Sequence, residues 1–232
     1  MDLKKRIAVL GWKMKLSHLV TINLKQIIIF SGLVLGAVNL HAAESLPYYD
    51  SQEFSPRWLE ADSPELEDFH RIPAFSFTDQ DGNTVTEQTF KNKVYVAGFF
   101  FSTCPGICPK IRSKLAKVQE TYLDTSNVKI LQHSIRPTSD TIDLLKDYAD
   151  EHGIKSGHWY LVTGEKESIY SLAKSAYFAS EDLGNIQNTN DFLHTESILL
   201  IDKNRHIRGI YNGLNSASMN YLISDINTLL SQ

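Results

Sequence analysis

The chain has 232 residues, of which 42% are hydrophobic and 22% charged, and this composition excludes a collagen-like, a fully disordered or a multi-span membrane protein. The formal net charge of −4 is unevenly distributed: residues 1–43 hold six basic residues and one acid, and the remainder holds 17 basic and 26 acidic residues, a net charge of −9. A body this acidic repels phosphate, so we expect no nucleic-acid partner.

The first 43 residues have the features of a secretory signal. The apolar run over 27–38 follows a basic stretch and leads into the small residues Ala42 and Ala43. This run is shorter than the roughly 20 residues that cross a bilayer as a helix. We predict export and cleavage after Ala42 or Ala43, with an uncleaved inner-membrane tether as the alternative and Met14 as an alternative start. In either case the protein acts in the periplasm or faces it.

Residues 44–70 are acidic and irregular, with eight acids, one base and three prolines. This composition predicts an extended linker. Apolar residues recur regularly from residue 71 onward. The sequence therefore divides into a signal or tether over 1–43, an acidic linker over 44–70 and one domain over 71–232.

The domain alternates between strand and helix patterns. Residues 94–101 are apolar throughout, as in a central strand buried on both faces, and a short hairpin with Asp81 and Gly82 at its turn precedes them. Later strands are predicted at 128–135, 158–162, 197–201 and 206–211, and helices after residues 109 and 140, around 169–176 and around 222–229. This order predicts an α/β, thioredoxin-like fold with a central, mostly parallel sheet, flanking helices and an N-terminal β-hairpin.

The two cysteines, Cys104 and Cys108, fall between the predicted central strand and the helix that follows it. Unpaired N–H groups and the helix dipole stabilise a thiolate at a helix N-terminus, so we expect both cysteines to ionise more readily than usual. The C-x-x-x-C spacing leaves room for one ion between two thiolates, and soft thiolates with one imidazole favour monovalent copper. A structural zinc site is disfavoured because it needs four protein ligands.

The same pair also fits a local structural disulfide, as is common in an oxidising compartment. A disulfide that closes so small a loop removes little chain entropy from the unfolded state and gains little stability. The sequence therefore favours redox or metal chemistry at Cys104 and Cys108, while the disulfide stays open as an alternative.

The residues around the cysteines resemble the Sco/SenC family of cytochrome c oxidase assembly proteins. The signature is Phe-Phe-Phe-Ser-Thr-Cys-Pro-Gly-Ile-Cys-Pro at 99–109, and the resemblance extends over 70–230 with further similarity at 134–141, 159–164, His194 and 198–202. It implies a thioredoxin-fold domain, exported or tethered beyond the inner membrane, that binds a copper ion through Cys104, Cys108 and His194. Two positions depart from the family pattern: Gly106 replaces an acid, and Arg136 replaces the Asp of an Asp-Pro pair.

The resemblance also implies partners. The client is the cytochrome c oxidase subunit that carries the binuclear copper site, and other copper chaperones or thiol reductants supply the protein. We expect a copper-binding assembly factor and not an enzyme in the turnover sense. The alternative is a thiol-disulfide oxidoreductase that reduces the oxidase copper-site cysteines with Cys104 and Cys108 as its redox pair. A third, weaker alternative is a thiol peroxidase.

The position of His194 in the sequence supports a role as a metal ligand. A single loop histidine is commonly a bystander, but His194 precedes the strand that in a thioredoxin-like fold runs close to the cysteine loop. Thioredoxins usually have a cis-proline there, and this sequence has no proline after Pro137. The missing proline argues against a general peptide oxidoreductase. A helix-capping role is expected for Asp140, and structural or surface roles for four further histidines, His133, His152, His158 and His206.

Overall fold

The computed structural model describes residues 45–179 and 196–232. Within these ranges, seven strands form: β1 (Ser76–Thr78), β2 (Thr84–Thr86), β3 (Val94–Phe100), β4 (Val128–Ser134), β5 (Trp159–Val162), β6 (Ser197–Ile201) and β7 (Ile207–Asn212). The α-helices are α1 (Cys108–Thr121), α2 (Ile142–Glu151), α3 (Lys166–Ser175) and α4 (Ser216–Ser231), and short 3-10 helices form at Pro64–Leu66 and Glu87–Phe90.

Five of the strands form one mixed sheet in the order β5-β4-β3-β6-β7. The β3–β4 and β4–β5 pairs are parallel, whereas the β3–β6 and β6–β7 pairs are antiparallel. β1 and β2 form a separate antiparallel hairpin. The α/β, thioredoxin-like fold predicted from the sequence is confirmed, and its parallel half is the β5-β4-β3 side of the sheet.

The centre of the sheet is the core of the domain, because β3 and β4 are buried at every position. Both strands end at the same edge, where Phe100 pairs with Ser134. β6 runs antiparallel to β3, so this edge also receives the start of β6 at Ser197. The start of β6 therefore lies beside the end of β3 that leads into the segment with the cysteines.

The segment predicted as an acidic linker contacts the domain. Tyr48 is 3% exposed, and its neighbour Tyr49 donates its backbone N–H to the carbonyl of Ile207 at 3.1 Å. The Arg208 guanidinium lies 3.7 Å from the centroid of the Tyr48 ring and donates to the carbonyl of Pro47 at 3.0 Å. The difference from the prediction has a physical reason: the aromatic side chains of this acidic segment bury apolar area against the sheet.

The signal or membrane tether is predicted over residues 1–43, which lie outside the described residues. Across 45–179 and 196–232, no helix is long and apolar enough to cross a membrane.

Candidate metal centre

The cysteine loop connects the end of β3 to the start of α1. Its first turn is closed by the backbone N–H of Cys104, which donates to the carbonyl of Phe101 at 3.2 Å. Cys108 is the first residue of α1, and the helix has no side-chain cap at Ile107. Both thiols are free; Cys104 is partly exposed, and Cys108 is 8% exposed. The structure therefore brings two of the three predicted ligands together at one helix N-terminus.

Hydrogen bonds stabilise the thiolate of Cys104. Burial alone would raise its pKa, but the Cys108 thiol and the backbone N–H groups of Cys108, Gly106 and Ile107 together lower the pKa below its usual value. The backbone N–H groups at the start of α1 thus favour a thiolate at Cys104.

Cys108 behaves differently from the sequence expectation that both thiols ionise readily. Burial raises the pKa of the Cys108 thiol to about 12, and its hydrogen bond to the Cys104 side chain adds to the rise. The physical reason is that one helix N-terminus supplies its N–H groups to one sulfur, while the other sulfur lies in the core as a hydrogen-bond donor. The pair therefore consists of one accessible, thiolate-stabilising position and one buried thiol.

A tyrosine and an arginine lie beside the pair. Arg112, on α1, donates from Nη1 to the hydroxyl of Tyr148 on α2 at 2.9 Å, and the Tyr148 ring contacts Phe100 with centroids 5.9 Å apart. Burial raises the pKa of Tyr148, the Arg112 guanidinium opposes this rise, and negative charge on the cysteine pair adds to it. Tyr148 thus forms part of the wall around the sulfurs.

The expectation that Asp140 caps a helix is wrong. The N-cap of α2 is Thr141, whose hydroxyl accepts from the Leu144 N–H at 3.3 Å. Asp140 is instead fully buried and accepts hydrogen bonds from Ser102 and Ser134. The Thr-Ser-Asp-Thr sequence contains several capping residues, and nothing in its pattern distinguishes the residue that faces inward.

Arg136, one of the two departures from the family pattern, lies at the same edge of the sheet. Its guanidinium is 4.5 Å from the centroid of the Phe101 ring, the residue whose carbonyl holds Cys104. A cation on this ring is favourable by about 0.5–2 kcal/mol. The arginine therefore packs on the base of the cysteine loop.

The third predicted ligand, His194, lies outside the described residues. Among those described, no group of three His, Cys, Asp or Glu side chains could hold a metal ion. His133 is buried among aromatic rings, and Nδ1 of His206 lies 2.8 Å from the carbonyl of His70. Neither of these two histidines forms a metal-binding group with the cysteines, which fits the structural roles expected for them.

The donor chemistry of the described residues fits a soft metal ion. Two adjacent sulfurs, one of them stabilised as a thiolate, suit monovalent copper better than a hard cation. The same two sulfurs can instead join in a disulfide, which would remove both metal donors. Copper binding and disulfide formation are therefore competing states of one pair.

Comparisons with known proteins agree with this architecture. The chain is 25% identical over 162 residues to the SCO1 protein homolog of Bacillus subtilis, covering 68% of this chain and 81% of that protein. It is 33% identical over 135 residues to the mitochondrial protein SCO2 of Saccharomyces cerevisiae, covering 55% of this chain and 43% of the yeast protein.

Solved structures give the same result. The crystal structure of a SCO1/SenC family lipoprotein from Bacillus anthracis superposes with a TM-score of 0.62 at 27% identity, covering 69% of this chain and 95% of that one. Arabidopsis thaliana ScoI with copper bound superposes with a TM-score of 0.54 at 25% identity, covering 67% of this chain and 97% of that one. The SCO1/SenC family model matches residues 64–231, and the chain belongs to this family.

Proposed function

We propose that this protein is a copper-binding chaperone for the binuclear copper site of cytochrome c oxidase. The observation that carries the proposal is the pair of free thiols, Cys104 and Cys108, at the N-terminus of α1 in a chain of the SCO1/SenC family. Its Arabidopsis structural relative is a protein with copper bound. Copper is the cargo, and its client is the oxidase subunit that carries the binuclear site.

We propose Cys104, Cys108 and His194 as the ligands. Two thiolates and one imidazole form a soft, three-coordinate set that suits monovalent copper. The antiparallel register of β3 and β6 supports the choice of His194. β6 begins at Ser197, three residues after position 194, and pairs with β3, the strand that leads into the cysteine loop.

Copper transfer requires that the site bind and release its cargo. Cys104 is partly exposed, so an incoming ligand from a partner can reach this sulfur first, while Cys108 stays in the core. Stepwise replacement of ligands would then pass the ion without exposing it to water. Copper chaperones or thiol reductants that supply copper or electrons are the other proposed partners. We propose that the protein works after export, in the periplasm or tethered to the inner membrane facing it.

A second candidate function uses the same pair without a stable metal. The unequal exposure of the sulfurs favours a thiol-disulfide oxidoreductase, in which Cys104 attacks a disulfide of the oxidase and Cys108 resolves the mixed disulfide. In that cycle the protein dithiol is oxidised to a disulfide as the client disulfide is reduced to two thiols.

A histidine substitution separates the two functions. His194→Ala removes one copper ligand and leaves both thiols, so we expect monovalent copper affinity to fall at least tenfold while the Cys104–Cys108 disulfide still forms. His158→Ala is the matched control because His158 has no side-chain hydrogen bond or ring contact among the described residues. Affinity is measured by competition with a chromogenic copper chelator. Wild-type copper affinity in His194→Ala, with loss of disulfide reductase activity, would overturn the copper assignment.

A further inference from the structure

A buried carboxylate lies beneath the cysteine loop. Asp140 is 0% exposed, and its side chain accepts hydrogen bonds from three donors on two different segments. The Ser102 hydroxyl donates to Oδ1 at 2.5 Å, and the Ser102 backbone N–H lies 3.3 Å from both carboxylate oxygens. The Ser134 hydroxyl donates to Oδ2 at 2.5 Å. The carboxylate therefore connects the segment after β3 to the end of β4.

A carboxylate in this position is costly unless its donors stay in place. None of the ion pairs within 45–179 and 196–232 involves Asp140, so hydroxyl and amide groups supply its hydrogen bonds. Leaving a buried acceptor without donors costs about 1–3 kcal/mol, and more when the acceptor is charged. Ser102 supplies two of the three donors, so displacing Ser102 would incur most of this cost. The network consequently restrains the position of Ser102.

The restraint reaches the cysteines along a short stretch of backbone. Ser102 is two residues before Cys104 and directly follows Phe101, whose carbonyl accepts the Cys104 N–H at 3.2 Å. On the other side, the carbonyl of Arg136 accepts from the N–H of Asp140 at 2.9 Å, which closes the turn between β4 and α2. Asp140 is thus fixed on its own segment and holds the base of the neighbouring loop.

We propose that Asp140 is a positioning residue for the cysteine pair: acting through Ser102, it holds the backbone of the cysteine loop in place and with it Cys104. The inference rests on the proposed role of Cys104 and Cys108 as the working pair. It assigns a function to a fully buried side chain that neither capping of α2 nor ion pairing among the described residues explains. Because Asp140 is fully buried, its influence on the cysteines passes through the loop.

Loss of the restraint on Ser102 should affect the dithiol and disulfide forms of the pair unequally. In the dithiol form, the N–H groups of the loop and of the start of α1 favour a thiolate at Cys104, and a disulfide sulfur is a much poorer acceptor. Loosening Ser102 should therefore destabilise the dithiol more than the disulfide. It should also weaken copper binding, because residues that orient metal ligands typically contribute about 10–100-fold to affinity.

The test compares Asp140→Asn and Ser102→Ala with the wild-type chain and with Thr141→Ala. The Thr141 variant is the matched control because it removes the neighbouring cap of α2 without a link to Ser102. Each chain is equilibrated with glutathione, so that two glutathione thiols reduce the disulfide and form one glutathione disulfide. We expect the equilibrium to move about fivefold or more towards the protein disulfide in both network variants and to stay unchanged in Thr141→Ala.

Copper competition provides the second readout, with a loss of about tenfold expected in both network variants. Ser102→Ala leaves Asp140 in place and carries the test if Asp140→Asn does not fold. A thermal unfolding midpoint lowered in both variants, with wild-type glutathione equilibrium and copper affinity, would show that Asp140 is only structural and would overturn the inference. Failure of the wild-type chain to bind copper would overturn the proposed function instead, and the glutathione equilibrium would still decide the role of Asp140.

Discussion

Cys104 and Cys108 belong to one loop but differ in exposure: Cys104 is partly exposed, whereas Cys108 is 8% exposed. The Cys108 side chain and nearby backbone N–H groups lower the pKa of Cys104, whereas burial raises the pKa of Cys108 to about 12 and keeps its proton in the core. Among the two sulfurs, Cys104 is therefore the one that meets external reagents and partners first.

Alkylation should follow this asymmetry. With limiting iodoacetamide on the reduced, folded chain, we expect Cys104 to be modified at least tenfold faster than Cys108, because it has both the accessible sulfur and the stabilised thiolate. Peptide mass spectrometry after a quench measures the two rates. In urea the difference should disappear, since unfolding exposes both thiols. Equal rates in the folded chain would contradict the exposure difference.

Oxidation and copper binding should exclude each other. A Cys104–Cys108 disulfide has no thiolate to donate, so oxidation removes two of the three proposed ligands. We expect the reduced chain to bind about one copper ion, as a single three-ligand site implies, and the oxidised chain almost none. Metal analysis after gel filtration of both forms measures the ratio, and reduction of the oxidised sample should restore binding. Equal binding by both forms would place the metal elsewhere.

The sequence predicted the central strand because Val94–Phe100 is an uninterrupted run without a charged or amide side chain. Val94–Phe100 is wholly buried, as its composition indicates, and Val128–Ser134 is also wholly buried although it contains Lys129, Gln132 and His133. The junction that carries Cys104 and Cys108 followed directly from these strands. The apolar pattern was sufficient there because a short run that is apolar on both faces fits few structures other than a central strand.

Asp140 could not be assigned in the same way. Ser, Thr and Asp all cap helices, and the choice among residues 138–141 depends on the turn in which the carbonyl of Arg136 accepts from both Ser139 and Asp140. That turn directs Asp140 towards Ser102, which is 38 residues earlier in the sequence. A contact of this separation leaves no periodic signal.

The sequence did not predict the contact of residues 45–70 with the domain, because this contact also joins residues far apart in the chain. Arg208 joins Leu46 and Pro47 across 162 and 161 residues, respectively. The acids and prolines of the segment indicated a linker, whereas its burial depends on Tyr48 lying on the guanidinium of a strand residue far along the chain.

Removing Arg208 should destabilise the fold strongly. Its guanidinium pairs with Asp202 at 3.1 Å, and the two side chains are only 4% and 9% exposed. Arg208→Ala leaves the Asp202 carboxylate buried without its partner, and we expect a loss of about 3–5 kcal/mol in the free energy of unfolding, measured by urea titration.

Arg57→Ala is the comparison for this change. Arg57 pairs with Asp50 and Glu65 but is 46% exposed, so its loss should cost about 1 kcal/mol or less. Similar costs for the two variants would show that the Asp202 carboxylate is not held in the core by Arg208.

His133 has an unusual environment for a titratable side chain. It is 0% exposed on β4, and neither ring nitrogen has a hydrogen-bond partner among the described residues. Its ring neighbours are Phe75, Phe77, Phe99 and Tyr177, with centroids 5.4 to 6.1 Å away. Burial lowers the pKa of His133 to about 3, and burial also raises the pKa of Tyr177, so the ring and its titratable neighbour both stay neutral in the folded state at neutral pH.

This burial should make the stability of the domain depend on pH. The unfolded chain gains a proton on His133 below about pH 6.5, the usual pKa of histidine, whereas the folded chain resists protonation down to about pH 3. The unfolded state then binds more protons, so stability is complete above pH 6.5 and is lost as pH falls through this window. Each pH unit within it should cost about 1.4 kcal/mol.

The His133→Phe variant isolates this effect, because phenylalanine suits the aromatic surroundings and does not titrate. Urea unfolding at pH 7.5 and pH 4.5 should show that the wild-type chain loses roughly 2.5 kcal/mol more than the variant over this range. Comparing the two slopes cancels any fixed change in stability caused by the larger ring, and it also cancels the titration of the carboxylates common to both chains. Parallel pH profiles would mean that protonated His133 is accommodated in the folded state, for example by water entering between the rings, and the burial argument for this residue would then be wrong.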